Sequence, residues 1–235
     1  MAFLTTYPNS APLFTAAGYV QNFIDGSLWT PLHDAAAGTL AVTITNGTSQ
    51  NVASIAASDE SSNWALIARG FFLFDTSSLG GGSTILNATL SIFGQFSFQF
   101  FFNESINVYS SNPGNDSLLT VTDYSQVGII PFSTSIPFAA WSQIAYNTFN
   151  LNAAGKAAIS KTGVTKFSTR TFSDATNVEP PLVFGAFSFF NGYFATTPTN
   201  LLRDAKLVIE YEPGAPSTAP VNHCFGWPLS MYGMG

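Results

Sequence analysis

The chain has 235 residues, of which only 9% are charged, against roughly 25% in ordinary soluble domains. Seven basic and thirteen acidic residues leave a net charge of −6, too few cations to build a phosphate-neutralising patch or a polybasic membrane contact, so nucleic acid is excluded as a partner. With 46% hydrophobic residues, 23 of them Phe, the low charge does not read as disorder; it predicts a folded core under a surface of Ser, Thr and Asn.

This length suits one all-β domain whose core needs no disulfide. One cysteine, Cys224, leaves no intramolecular disulfide and no multi-cysteine zinc site. The first charged residue is Asp25, so no basic leader region of a secretory signal is visible. No apolar run reaches the roughly 18 residues that a membrane span requires.

Taken in chain order, residues 1–20 carry Pro8 and Pro12 and read as an N-terminal arm. From there the hydrophobic period is two. Residues 40–45 alternate Leu40, Val42 and Ile44 against Ala41, Thr43 and Thr45, and Asn46-Gly47 follows as a hairpin turn. Residues 66–74 place Leu66, Ala68, Phe72 and Phe74 on one face and Arg69, Phe71 and Leu73 on the other, before Gly80-Gly81-Gly82 breaks the chain. Residues 85–93 follow as a strand. Residues 95–102 alternate cleanly, with Phe96, Phe98, Phe100 and Phe102 opposite Gln95, Ser97, Gln99 and Phe101. The phenylalanine stripe is expected in the core, and Phe101 on the opposite side implies a second covering layer or a neighbouring subunit. Residues 105–110 make a short strand. Residues 152–162 read as one short crossover helix, starting at Asn152 and stopping at Gly163, with Lys156 and Lys161 toward its C-terminal half. Residues 182–194 form a second aromatic strand, and residues 205–211 close the series. Short strands with Gly, Pro, Asn and Ser turns predict an all-β fold, a β-sandwich or jelly roll over residues 21–212 with extended N- and C-terminal arms. Residues 213–235 form a Pro- and Gly-rich tail in which Phe225, Trp227, Leu229, Met231 and Tyr232 are apolar, the pattern of an assembly contact rather than a polar linker.

Few residues point to chemistry. His33-Asp34 are sequence neighbours, and no Gly-x-Ser-x-Gly elbow is present, so a Ser-His-Asp device has no sequence support. His223 beside Cys224 reads as an incidental pair, and no enzyme is expected. Asp25, Asp34, Asp123 and Asp174 fall in expected loops and are candidate calcium ligands, since calcium prefers carboxylate and carbonyl oxygens; no EF-hand spacing exists. The alternative for each is a turn cap. Arg69, Asp75, Arg170 and Asp174 are expected to form a structural ion pair between strands. Trp29, Trp64, Trp141 and Tyr124 are the candidate sugar platforms, because an apolar ring covers the C–H face of a saccharide; packing at the ends of the core is the competing reading.

The phrases RGFFLFDTSSL (69–79), STILNATLSIFG (83–94), INVYSS (106–111), LTVTDYSQVG (119–128), the run from 146 to 174 and AKLVIEYEP (205–213) stand in an order that resembles the DNRLRE-type jelly-roll domains. These domains are related to carbohydrate-binding modules and occur in extracellular proteins and in phage or environmental-virus structural proteins. The resemblance implies a single sandwich with non-enzymatic work. Together with the low charge and the apolar tail, it predicts a structural subunit of a virion or other extracellular assembly: a decoration, fibre or capsid-associated protein. Its partners would be identical subunits or other surface proteins. A glycan-binding adhesion module and a cellular surface-filament subunit are the alternatives.

Overall fold

The computed structural model of the protein describes residues 1–8, 13–44, 49–195 and 202–214. In chain order the elements are β1 (Ala2–Thr6), β2 (Ala17–Ser27), α1 (Trp29–His33), β3 (Leu40–Thr43), β4 (Ser49–Ala57), β5 (Trp64–Asp75), β6 (Thr84–Phe93), β7 (Phe98–Phe100), β8 (Ser105–Ser110), β9 (Ile136–Pro137), β10 (Tyr146–Asn150), α2 (Ala153–Ala157), β11 (Val164–Thr171), α3 (Phe172–Thr176), β12 (Phe187–Tyr193) and β13 (Lys206–Glu212). A four-stranded sheet runs β1-β13-β6-β10. A nine-stranded sheet runs β7-β12-β4-β5-β11-β8-β9, with β2 joined to β5 and β3 to β2. Neighbouring strands pair antiparallel, and the whole is a jelly-roll-like β-sandwich with one curled, open sheet.

β5 organises the molecule. One of its edges pairs with β2, and the other is shared: Trp64–Arg69 lies against β4 and Gly70–Asp75 against β11. Gly70 sits at the handover. A Cβ there would lie 2.4 Å from the Val52 carbonyl oxygen and 2.4 Å from Thr169 Oγ1, so only glycine lets β4 and β11 meet on one strand edge.

Both faces of β5 are buried, which is why its sequence is a nearly continuous apolar run. Phe72 and Phe74 join Leu90, Ile92, Phe149 and Leu207 in the core between the two sheets. Ile67, Phe71 and Leu73 point into a second core with Trp29, Leu32, Trp64 and Tyr124, closed by α1 and the 3-10 turn Val121–Ser125. Arg69 has the parity of Ile67 and Phe71 and so enters that second core.

Several sequence expectations change. The N-terminal arm is present and forms a strand of its own: Ala2–Thr6 pairs with β13 from Ala2↔Tyr211 to Thr6↔Leu207, and β2 runs on from Ala17 to Ser27. The expected helix starts as read, with the Asn152 side chain accepting the Gly155 N–H at 3.0 Å, but α2 ends at Ala157. Two further one-turn helices, α1 and α3, lack the length for a visible 3.6 period. The Asn46-Gly47 turn, His223, Cys224 and the tail residues Phe225, Trp227, Leu229, Met231 and Tyr232 lie outside the described residues.

Candidate functional site

The charged residues of the sequence phrases converge in the second core. α3 begins immediately after β11, with the Thr171 side chain accepting the Asp174 N–H at 3.4 Å. This one turn carries Asp174 back over Arg170, four residues earlier, and against Arg69 from β5. Arg170 Nε donates to Asp174 Oδ2 at 2.7 Å, and Arg69 Nη2 donates to Asp174 Oδ1 at 2.6 Å. Arg69 Nε (3.1 Å to Oδ2) and Arg170 Nη2 (3.0 Å to Oδ1) also donate to this carboxylate, and the guanidiniums reach backbone carbonyls as well: Arg69 to Tyr124 (2.7 Å) and His33 (3.1 Å), Arg170 to Gly128 (2.9 Å) and Asp174 (2.6 Å). The Arg69 guanidinium also lies 4.0 Å over the Tyr124 ring. His33 Nε2 is 2.7 Å from the Asp174 carbonyl oxygen, and Nδ1 is 2.5 Å from Asp34 Oδ1.

Burial alone would push the Asp174 carboxyl up, but the two guanidiniums outweigh it and hold the group far below the usual carboxylate range. Glu104 behaves oppositely. Burial pushes it up, and its hydrogen bonds from the Ser173 hydroxyl (2.5 Å) and N–H (3.1 Å) only partly offset that, because no guanidinium faces it. Asp75 is not in the cluster; it stands at the far end of β5 and accepts the Ser77 N–H at 3.0 Å. The hollow above the arginines, about 230 Å³, is lined by His33, Asp34, Ser125 and Val127 among others. With the guanidiniums directed at protein oxygens, the cluster reads as a clamp that ties α1, α3 and the 121–128 segment onto β5.

The expected sugar platforms are interior. Trp29, Trp64, Trp141 and Tyr124 are all buried. Trp29 and Trp64 pack edge to face at 4.9 Å, and their ring N–H groups donate to Asn177 Oδ1 and Glu179 Oε1. Trp141 donates to the Asn191 carbonyl, and the Tyr124 hydroxyl to that of Leu32. None offers an open ring face, so the competing core reading describes them. Of the candidate calcium ligands, Asp34 and Asp174 meet at the two ring nitrogens of His33. Asp174 is held by two arginines, Asp34 faces His33, Asp123 forms a capping box with Thr120, and Asp25 lies in β2. Among the described residues no three His, Cys, Asp or Glu side chains come together to hold a metal ion.

The surface offers a different site, built from the phenylalanine stripe that alternation alone predicts for the core. Among the described residues β7 is an edge strand, and it pairs with β12 through Gln99↔Ser188 and Phe98↔Phe189. Phe96, Phe98, Phe100 and Phe101 are 60%, 45%, 48% and 67% exposed, whereas Phe102 turns into the second core. Phe101 ends the strand in the left-handed region, with φ at 66°, a strained conformation for an aromatic residue. The rings form two touching groups: Phe96 touches Phe98 (4.0 Å), while Phe100 touches Phe101 (4.2 Å) and Phe187 (6.0 Å), and Phe187 touches Phe189 (5.2 Å); the Phe98↔Phe189 pairing sets the groups side by side on one face. Residues 95–103 and Phe187–Tyr193 contain no charged residue. Beyond Phe101 the face runs into a hollow of about 410 Å³ lined by Phe172, Val178, Pro180 and Glu104, among others. Alternation alone could not tell which side of this strand is covered; the charge-free sequence on a sheet edge was the available signal.

The chain therefore combines a buried ionic clamp with an exposed apolar face on a jelly-roll-type sandwich, an architecture consistent with a structural or adhesion domain in general. Among the described residues no helix is long and apolar enough to cross a membrane. Comparison of the sequence with protein-family models and with curated proteins finds no match, so the likeness to DNRLRE-type domains stands only at the level of a generic jelly-roll-type fold.

Proposed function

We propose that the protein is a non-enzymatic structural subunit of a virion or other extracellular assembly, joined to its neighbours through apolar surface. The observation that carries this reading is the uncharged phenylalanine face on β7 and β12. A contiguous exposed apolar patch of this kind marks an interaction site more often than bare surface. The low overall charge supports the same reading, because it lowers repulsion between copies packed side by side. The tail residues Phe225, Trp227, Leu229, Met231 and Tyr232 add a second apolar segment to the chain. The glycan-binding alternative has lost its platforms, since the three tryptophans and Tyr124 named for it are buried.

Light scattering of the full-length chain beside a chain ending at Glu212 tests this reading. The expected result is self-association of the full-length chain. A monomer at every concentration would overturn it. If the full-length chain associates, the shorter chain, which keeps β13 whole, tells whether the tail or the sandwich carries the contact.

A further inference from the structure

We infer that the β7 edge and its phenylalanine face are the contact between two copies of this chain, pairing β7 with β7 about a two-fold axis. This rests on the assembly reading above and names the surface and the partner.

Four observations point to a second copy. First, among the described residues β7 has a neighbour on one side only, β12, so its other side offers unpaired backbone groups to an incoming strand. Second, the edge carries neither charge nor proline to oppose such pairing: residues 95–103 hold no Lys, no Glu before Glu104, and no Pro, so the seam is limited only by the length of β7, three residues followed by the left-handed Phe101. Third, the surface is neutral within a chain of net charge −6. Two copies meeting here bring no carboxylates together, whereas a cationic partner would gain nothing from this face. Fourth, the seam itself is apolar. Four rings are exposed by 45–67%, and strand pairing covers the flanks of Phe98 and Phe100 where the two copies meet, while their outer faces stay on one surface of the joined sheet. The area covered is thus well below the roughly 800 Å² per partner of a standard interface, which fits a weak, concentration-dependent contact.

The pattern is also self-complementary. Antiparallel pairing about an axis near Gln99 sets Phe98 and Phe100 of each copy beside those of the other. It joins the two nine-stranded sheets into one and closes the contact as an isologous dimer.

The test uses the full-length chain in analytical ultracentrifugation, wild type beside Phe98→Ser/Phe100→Ser. A nitroxide label at Asn103→Cys, in a Cys224→Ser background, reports inter-copy distance. Asn103 is exposed and lies four residues from Gln99. Because the strand ends at Phe100 and the chain turns at Phe101, about 3.3 Å per residue is an upper limit, and the two copies of Asn103 should stand no more than about 26 Å apart before the label arms are added. The expected result is a dimer whose dissociation constant rises at least tenfold in the double variant, with unchanged circular dichroism, and one narrow label distance below roughly 40 Å. Association unaffected by the double variant would overturn this contact but leave the assembly reading intact. Association lost in the variant without the narrow distance would mean that another occupant, such as the tail of a neighbour, covers the face; that too overturns β7 pairing. A wild-type monomer throughout would overturn both readings.

Discussion

The second core and the β7/β12 edge handle their awkward groups in opposite ways. The second core takes in two arginines and an aspartate, and the hydrogen bonds of all three end on protein partners. The edge pushes phenylalanines into solvent, and its polar side chains are poorly served: Gln95 Oε1, Gln99 Oε1 and Ser188 Oγ are buried without a hydrogen bond among the described residues. A buried ionic network is stable only when complete, since an unpaired member bears its full desolvation penalty. An apolar face carries no such demand for completeness, but it gains by leaving water. The finished region therefore reads as scaffold, and the unfinished one as interface.

Breaking the scaffold should give the largest effect. Asp174→Ala leaves the Arg69 and Arg170 guanidiniums buried without their carboxylate, and should lower unfolding free energy in urea by about 3–5 kcal/mol. The pH profile sharpens the same point. Asp174 is held low in the folded protein but returns to about 3.9 when unfolded. Its contribution is thus fully present above pH about 4 and is lost as pH falls toward the folded value, because only the unfolded chain takes up the proton. Asp174→Asn should flatten that acid limb.

Next in size is the strand handover. Gly70→Ala sets a methyl group against the Val52 carbonyl and Thr169 Oγ1, and should destabilise by about 1–3 kcal/mol in the same assay. On the alkaline side, burial pushes Tyr109 up to about 12, against the ordinary 10.0. Stability from keeping it neutral is complete below pH about 10 and declines as pH rises toward about 12. Tyr109→Phe should reduce that decline with little change at pH 7. The smallest change in stability is expected at the edge: Phe98→Ser should move monomer stability by no more than about 0.5–1 kcal/mol, because the ring is half exposed. A loss as large as that of Asp174→Ala would show that the face is core after all.

Much of the fold was legible in the sequence. The period-two runs gave β3, β5, β6, β8 and β13 nearly to the residue, because each has a covered face that its neighbours enforce. β1, β2, β4, β10 and β11 escaped notice as strands: they are rich in Ala, Ser, Thr and Asn, and only pairing with a distant partner defines them. Arg69 and Asp174 could be grouped from their phrases, yet nothing in spacing showed that a one-turn helix would fold Asp174 back over Arg170. The phenylalanine stripe failed most instructively. Its period is right for a strand, but β7 lies at a sheet edge, and residue identity says nothing about whether an edge is covered.

Amide hydrogen exchange at Phe98, Gln99 and Phe100, followed as a function of protein concentration, tests most directly whether the unfinished edge is an interface. The account predicts that protection at these amides rises with concentration while Phe71–Phe74 in β5 stays protected throughout. Exchange at β7 that is independent of concentration, in full-length protein shown to be associated, would contradict it.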